Sequence, residues 1–205
     1  MLPEVDALSG VPQRAEYHPE IDTGTHLCLV LDAAARAQAP LEVRFACLTH
    51  DLGKGTTPPD QWPRHIGHEQ RSVTLLRQLA ERLRVPLACK ELAEVVAREH
   101  GHIHQSGTLG AAAVLRLLVR CDALRRPERF EQVLLACACD AWGRAGLADQ
   151  SYAPRARLWG LLQAALQVNT AELAAQAQAQ GLSGAAIGTQ VEAAREAALQ
   201  QSGWL

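Results

Sequence analysis

A histidine and an aspartate stand side by side at the end of an apolar stretch, as His50 and Asp51 in RFACLTHDLGKG. Neighbouring residues on a helix point about 100° apart, so the two side chains can share a ligand only at a helix end. Imidazole nitrogen and carboxylate oxygen together suit a divalent cation, and two such groups leave positions open for further ligands and for water. The alternative is a polar, solvated helix C-terminus, since His-Asp pairs also arise by chance.

The residues after this pair suit a turn with a cationic group at its centre. Gly53 and Gly55 let the backbone leave the helix, and Lys54 stands between them. We expect a lysine in this position to meet a phosphate.

Apolar residues three and four positions apart predict helix over most of the chain, and no convincing strand alternation occurs. The prediction is an all-α protein, a compact helical fold of about eight helices. Gly24 and Thr25 are the expected cap of the first long helix, and the segment GHIHQSGTLG is expected to be a loop. The predicted helices cover about 25–39, 41–52, 68–83, 87–100, 109–124, 127–142, 155–168, 170–180 and 186–200, after a short one near 5–8.

Length and composition favour a single domain. The chain has 205 residues, of which 48% are apolar, enough for one substantial core. We expect residues 1–23 to be a connecting segment and 24–205 to be the domain, with a helical tail from about residue 169. Met1 followed at once by LPEVDALSG resembles a cut or an alternative start.

Several function classes are disfavoured by charge and cysteine usage. The formal charge of −2 gives no overall attraction to nucleic acid, so RNA contact would need a local basic patch. The six cysteines form no Cys-x-x-Cys pair and are interpreted as buried free thiols. No signal peptide and no apolar run long enough for a membrane span occur, so a cytoplasmic location without membrane contact is expected.

Further histidines and an aspartate follow the same order as in a known superfamily. His26 precedes the pair, His65, His68 and His100 follow it, and Asp140 lies in a late helix. This order resembles the ligand set of HD phosphohydrolases. The segments EYHPEIDTGTH, THDLGKGTTP, WPRHIGHE and CDAWGRAG narrow the resemblance to the C-terminal HD domain of bacterial CCA-adding enzymes, the multifunctional tRNA nucleotidyltransferases, from about Leu2 to Gly188.

The resemblance implies a divalent metal as cofactor, with Ni, Mn, Co or Mg as the options. Its implied ligands are His26, His50, Asp51 and Asp140. Asp140 also has an argument of its own, because an aspartate among apolar helix residues must be paired, protonated or bound to metal. Pairing with Arg144 is the alternative for that residue.

His68 and His100 are the implied ligands of a second metal, as in two-metal members of the superfamily. Two ordinary explanations remain open for them. His68 could cap the following helix, and His100 could be a histidine stabilised by the dipole at a helix C-terminus.

Substrate contacts are predicted around the same centre. Lys54, Arg64, His65 and Arg144 are expected to hold a phosphoryl group, whose oxygens need donors besides the metal. The resembled motif has two arginines flanking a glycine, whereas this chain has Trp142 at the first position. That departure puts phosphate selectivity in doubt, and Trp142 could instead stack on a base.

The resemblance implies a metal-dependent phosphodiesterase and phosphatase acting on 2′,3′-cyclic nucleotides, 2′-nucleotides and small phosphomonoesters. Asp51 would orient the attacking water or take its proton, with His50 and Lys54 as the other catalytic residues. No Gly-Ser motif followed by an Asp-x-Asp pair occurs, so nucleotidyl transfer is not expected from this chain. Whether it is a stand-alone protein or an excised domain stays open.

Two other functions compete with this one. The chain could be a module that binds the 3′ end of tRNA or dimerises while keeping a vestigial metal site; the stretch from Gly181 to Gly188 resembles the region near tRNA in the related enzymes. It could also be an HD hydrolase of another nucleotide, such as a dNTP or a dinucleoside polyphosphate. The expected partners are therefore a nucleotide or phosphoester, the tRNA 3′ end, and a second copy of the chain.

Overall fold

A computed structural model describes residues 2–148 and 150–205; Met1 and Asp149 lie outside the description. The predicted all-α fold is confirmed, with ten α-helices in the described residues rather than about eight. Short 3-10 turns lie at Leu52–Thr56, Pro59–Gln61 and Ser106–Thr108. The helices are α1 (Pro3–Asp6), α2 (Thr23–Arg36), α3 (Leu41–Thr49), α4 (His68–Arg82), α5 (Leu87–His104), α6 (Ala111–Arg120), α7 (Pro127–Trp142), α8 (Ala153–Leu166), α9 (Thr170–Ala179) and α10 (Ala185–Gln201).

The start of α2 corrects the predicted cap. Asp22, rather than Gly24 or Thr25, is the N-cap residue, and its Oδ1 accepts a hydrogen bond of 2.7 Å from the Thr25 amide. Its Oδ2 accepts another, of 2.6 Å, from the Gly10 amide. Aspartate is a stronger cap than glycine because its side chain satisfies a free helix amide. The same side chain therefore ties the N-terminal segment to α2.

Among the predicted helix ends that are wrong, two matter for the predicted metal ligands. Helix α3 ends at Thr49 rather than near residue 52, and a 3-10 turn follows from Leu52. Helix α5 continues through the expected loop to His104. A glycine inside a helix lowers its stability by about 1 kcal/mol relative to alanine. The cost of extending α5 past Gly101 is offset by the complete burial of Ile103.

The chain divides into two compact units. The first contains the residues up to His104 together with Glu131–Tyr152, and the second contains Gln105–Phe130 and Ala153–Leu205. These boundaries differ from the expected ones at residues 24 and about 169. Every ligand predicted for the metal lies in the first unit.

The core of the first unit includes the N-terminal segment. Leu8 is completely buried in one cluster with Leu27, Leu52 and Leu79. These residues come from the segment after α1, from α2, from the 3-10 turn and from α4. The segment expected to be a connection is thus part of the packing that supports the turn after His50 and Asp51.

Two glycines allow close backbone contacts next to the predicted ligands. A Cβ atom at Gly53 would collide with the His68 carbonyl and lie 2.7 Å from the Ser72 amide nitrogen. A Cβ atom at Gly143 would lie 2.7 Å from the Val30 amide nitrogen. Because glycine has no side chain, α4 can lie close to the turn after Asp51, and the end of α7 can lie close to α2.

The second unit is built from α6, α8, α9 and α10. Leu158, Leu161 and Leu162 of α8 are completely buried. Arg157 fixes the segment before α6 by donating hydrogen bonds of 2.8 and 2.9 Å to the carbonyls of Ser106 and Leu109.

All six cysteines are free thiols, as expected, but Cys28 is exposed rather than buried. Among the described helices, none has both the length and the apolar character needed to cross a bilayer.

Truncation of Leu8 tests whether the N-terminal segment is part of the core. We expect Leu8→Ala to lower the free energy of unfolding by about 2–5 kcal/mol, because a fully buried leucine leaves a cavity. Leu87→Ala is the matched control, since Leu87 is 68% exposed. Urea denaturation followed by circular dichroism measures both, and equal stabilities of the two variants would show that the segment is not part of the core.

Candidate metal centre

Three predicted ligands, from α2, the C-cap of α3 and α7, form a first group, which we call cluster A: His26, His50 and Asp140. His26 Nε2 lies 2.9 Å from Asp140 Oδ1, and His50 Nε2 lies 3.8 Å from Asp140 Oδ2. One ligand atom from each residue lies within 4.8 Å of the other two. All three side chains are buried. His26 and Asp140, 114 positions apart in sequence, thus meet away from solvent.

Asp51 joins the other two predicted ligands in a second group, cluster B: Asp51, His68 and His100. Asp51 Oδ1 lies 3.3 Å from His68 Nε2 and 3.5 Å from His100 Nε2. The other oxygen, Oδ2, lies 3.2 Å from His50 Nε2. The carboxylate of Asp51 therefore faces cluster B with one oxygen and cluster A with the other.

Three histidines of this centre share one orientation. His50 Nδ1 lies 2.9 Å from the Cys47 carbonyl, His68 Nδ1 lies 2.9 Å from the His65 carbonyl, and His100 Nδ1 lies 3.1 Å from the Val96 carbonyl. A carbonyl can only accept, so each Nδ1 carries the proton. Each Nε2 then lies on the Asp51 side of its ring, within 3.2–3.5 Å of a carboxylate oxygen. An Nδ1 proton donated to a backbone carbonyl is typical of metal-binding histidines.

Several buried atoms of the centre make no hydrogen bond within residues 2–148 and 150–205: His50 Nε2, His68 Nε2 and Asp51 Oδ1. Burial of such atoms without partners costs free energy. His50 Nε2 and His68 Nε2 lie 3.2 and 3.3 Å from Asp51 oxygens without a hydrogen bond between them, and a cation shared by these atoms would satisfy them. The donor set of imidazole nitrogens and carboxylate oxygens fits a divalent metal at both clusters.

The pKa shifts agree with a strongly anionic centre. Burial raises the pKa values of Asp51 and Asp140, but the cationic groups around them, led by Lys54 for Asp51 and His104 for Asp140, bring both well below the usual range. Burial lowers the pKa of His50, and the charges of Asp51 and Asp140 raise it above its usual value. Burial lowers the pKa of His100 to about 3. The carboxylates are thus ionised, and the His100 ring is neutral.

Lys54, predicted to meet a phosphate, is buried beside Asp51. Its Nζ lies 2.6 Å from Asp51 Oδ2 and donates a 2.7 Å hydrogen bond to Gln13 Oε1. The ammonium has three protons, so one donor remains after these two contacts. That proton is what Lys54 could offer to a phosphate.

The other residues predicted to contact substrate differ in which of their polar atoms or ring faces are available to bind it. Arg64 is exposed, and Arg144 is half-buried with an Nε that makes no hydrogen bond in the described part of the chain. Trp142 Nε1 donates to the Gln150 carbonyl at 2.9 Å, leaving its ring face for stacking. His65 is committed at both nitrogens, to Thr57 Oγ1 and the Pro12 carbonyl, so it is better suited to fixing the loop than to binding a phosphate.

Two residues of the centre were missed as site residues. His104 Nε2 lies 2.7 Å from Asp140 Oδ2, and its Nδ1 lies 2.8 Å from the Tyr152 hydroxyl. Asp140 therefore contacts three histidines rather than Arg144, its expected alternative partner. The signal for His104 was its spacing of four residues from His100, which places both on one face of a helix once α5 is known to continue.

Glu20 and His18, on the other side of cluster A, were also not predicted as site residues. Glu20 Oε1 lies 2.7 Å from His26 Nδ1 and 3.1 Å from His18 Nδ1. Both residues belong to EYHPEIDTGTH, one of the four segments that carried the family resemblance.

Comparison with known proteins agrees with this geometry. The family model described as "HD domain" matches residues 23–141. The chain is 62% identical over 205 residues to "Multifunctional CCA protein" from Acidovorax sp. (strain JS42), covering 100% of this chain and 48% of the relative. It is 64% identical over 201 residues to the protein of the same name from Paracidovorax citrulli (strain AAC00-1), covering 98% and 48%.

The chain thus spans about half the length of the curated relatives it matches. No solved structure matches it. The predicted resemblance is confirmed, both at the level of the superfamily and at the level of the CCA proteins. With an HD family match over more than half of its residues and ligand groups that converge in its first compact unit, the chain belongs to the HD domain family.

Proposed function

We propose that this chain is a metal-dependent phosphohydrolase that acts on 2′,3′-cyclic nucleotides, 2′-nucleotides and small phosphomonoesters. The observation that carries the proposal is the shared orientation of His50, His68 and His100, whose Nε2 atoms all approach Asp51. Family membership supports the hydrolytic class. The substrates follow from the resemblance to the HD domain of CCA-adding enzymes.

The residues of clusters A and B are the proposed ligands. Cluster A with Asp51 would hold one ion, and His68 and His100 with Asp51 would hold a second. Asp51 is suited to serve both, because each of its oxygens faces a different cluster. A bound divalent cation supplies Lewis acidity and lowers the pKa of water toward neutrality.

The protein groups have separate tasks in this proposal. Asp51 orients the attacking water or accepts its proton, and Lys54 holds Asp51 in place through the 2.6 Å ion pair. Arg144 donates to a phosphoryl oxygen from its unpaired Nε. Burial of the centre strengthens each of these electrostatic contacts relative to water.

The 3′ end of tRNA is the proposed biological partner. The support comes from relatives named "Multifunctional CCA protein". Their alignments cover the whole of this chain at about 60% identity. The formal charge of −2 means that attraction to RNA would be local rather than global.

Metal content tests the ligand assignment. Protein purified without chelator should carry one or two equivalents of a divalent metal, counted by inductively coupled plasma mass spectrometry. Two equivalents would support both clusters, and one would support cluster A with Asp51. His50→Gln should lower the retained metal, while His102→Gln should not, because His102 is exposed and outside both clusters. Metal-free wild-type protein, or equal retention in both variants, would contradict the assignment.

Activity tests the proposed reaction. Purified protein should hydrolyse 2′,3′-cAMP, 2′-AMP or p-nitrophenyl phosphate in the presence of Ni²⁺, Mn²⁺, Co²⁺ or Mg²⁺, and EDTA should abolish turnover. Asp51→Asn should lower kcat on the order of 100-fold or more, since it removes charge from both clusters. Asp60→Asn, at an exposed aspartate of a 3-10 turn, is the matched control.

The same assay separates the competing functions. Unchanged turnover in Asp51→Asn would dismiss the catalytic assignment. Tight binding of tRNA without turnover of any substrate would favour a binding module, and turnover confined to dNTPs or dinucleoside polyphosphates would favour a different nucleotide hydrolase.

A further inference from the structure

A hydrogen-bonded chain of two side chains leads away from Asp140, and the proposed reaction uses neither of them. His104, at the end of α5, lies 2.7 Å from Asp140 Oδ2 through Nε2 and 2.8 Å from the Tyr152 hydroxyl through Nδ1. Its ring also packs edge to face against the rings of Tyr152 and His100, with centroids 5.6 and 6.1 Å apart. The His104 ring is thus held at both nitrogens.

The hydrogen bond to Asp140 has the same direction whatever the charge of His104. The Asp140 carboxylate is ionised and can only accept, so Nε2 of His104 carries a proton and donates it. Burial raises the pKa of Tyr152, whose hydroxyl therefore keeps its proton. Because a hydroxyl both donates and accepts, it is a partner for Nδ1 of a neutral ring and of a charged one.

The Asp140 carboxylate is shared between this chain and cluster A. Oδ2 accepts from His104 and lies 3.8 Å from His50 Nε2, whereas Oδ1 lies 2.9 Å from His26 Nε2. An aspartate side chain rotates about two bonds, and its terminal torsion is only weakly restricted. A donor fixed on Oδ2 therefore sets the plane in which the carboxylate faces the other members of cluster A.

The loop after α7 returns Tyr152 to the centre. Early in the loop, the Ala145 amide donates a hydrogen bond of 3.1 Å to Glu20 Oε2. Late in the loop, the Gln150 carbonyl accepts a hydrogen bond of 2.9 Å from the Trp142 indole. These two hydrogen bonds fix the path of the backbone between the residue that carries the ligand and the tyrosine.

From this geometry we propose that Tyr152 and His104 are positioning residues for the metal ligand Asp140. Tyr152 fixes the His104 ring, and His104 holds Asp140 in the orientation that faces cluster A. The inference rests on the proposed role of cluster A as a metal site. Loss of a partner of this kind typically weakens metal binding about 10–100-fold.

Competition for Zn²⁺ with a chromophoric chelator tests the proposal in the whole chain. Tyr152→Phe removes only the hydroxyl and should weaken binding about 10-fold, and His104→Ala should weaken it by up to about 100-fold. Tyr17→Phe is the matched control, because Tyr17 is the other tyrosine of the chain and is 58% exposed. Wild-type affinity in Tyr152→Phe would overturn the proposal.

A double-variant cycle separates positioning through His104 from a merely structural role of Tyr152. If the tyrosine acts through the histidine, the variant with both Tyr152→Phe and His104→Ala should bind Zn²⁺ no more weakly than His104→Ala alone. If Tyr152→Phe weakens binding by the same factor with and without His104, the proposal is wrong.

Imidazole ¹H–¹⁵N spectra of metal-free protein test the chain of hydrogen bonds without any ion. Wild-type protein and Tyr17→Phe should show a His104 Nε2 proton that is protected from exchange with water, and Tyr152→Phe should lose that protection. Equal protection in Tyr152→Phe and wild-type protein would overturn the proposal. Absence of Zn²⁺ binding in wild-type protein would instead contradict the proposed metal site, so the two claims fail in different measurements.

Discussion

The buried carboxylate of Asp51 is the constraint on which the first unit of this structure depends. An ionised group away from water is costly unless other charges or donors surround it. The structure surrounds Asp51 with Lys54 and three imidazole rings, and each of those rings is aligned by a backbone carbonyl. Lys54 supplies one cationic partner for this carboxylate, and the carbonyls hold the histidines in the orientation that is typical of metal-binding histidines.

Close packing of the backbone in the first unit brings the side chains around Asp51 and Asp140 together. Gly53 lets α4 approach the turn that carries Lys54, which brings His68 within reach of Asp51. Gly143 lets the end of α7 pack against α2, which brings Asp140 to His26. Leu52, in the turn that carries Lys54, packs in one buried cluster with Leu8. Positions far apart in sequence meet because small residues permit close contact where the ligands are needed.

Helical periodicity was sufficient to predict the all-α class and most helix positions, including both ends of α7. It failed at the end of α5, where burial of Ile103 outweighs the cost of Gly101, so His104 was assigned to a loop. The family motif predicted most of the residues that the structure brings together in clusters A and B, but it had no information on which carboxylate oxygen faces which ring. The pairing of Asp51 with His68 and His100, and the contacts of Glu20, depend on tertiary packing that local sequence does not specify.

Long-range ¹H–¹⁵N correlation of the imidazole groups in metal-free and Zn²⁺-loaded protein tests the central claim most directly, because it reports which nitrogen of each ring is protonated or metal-bound. We expect His100, neutral in this account, to show a protonated Nδ1 in metal-free protein, and the Nε2 resonances of His50, His68 and His100 to shift when zinc is added. Protonated Nε2 atoms that do not respond to zinc would contradict the account.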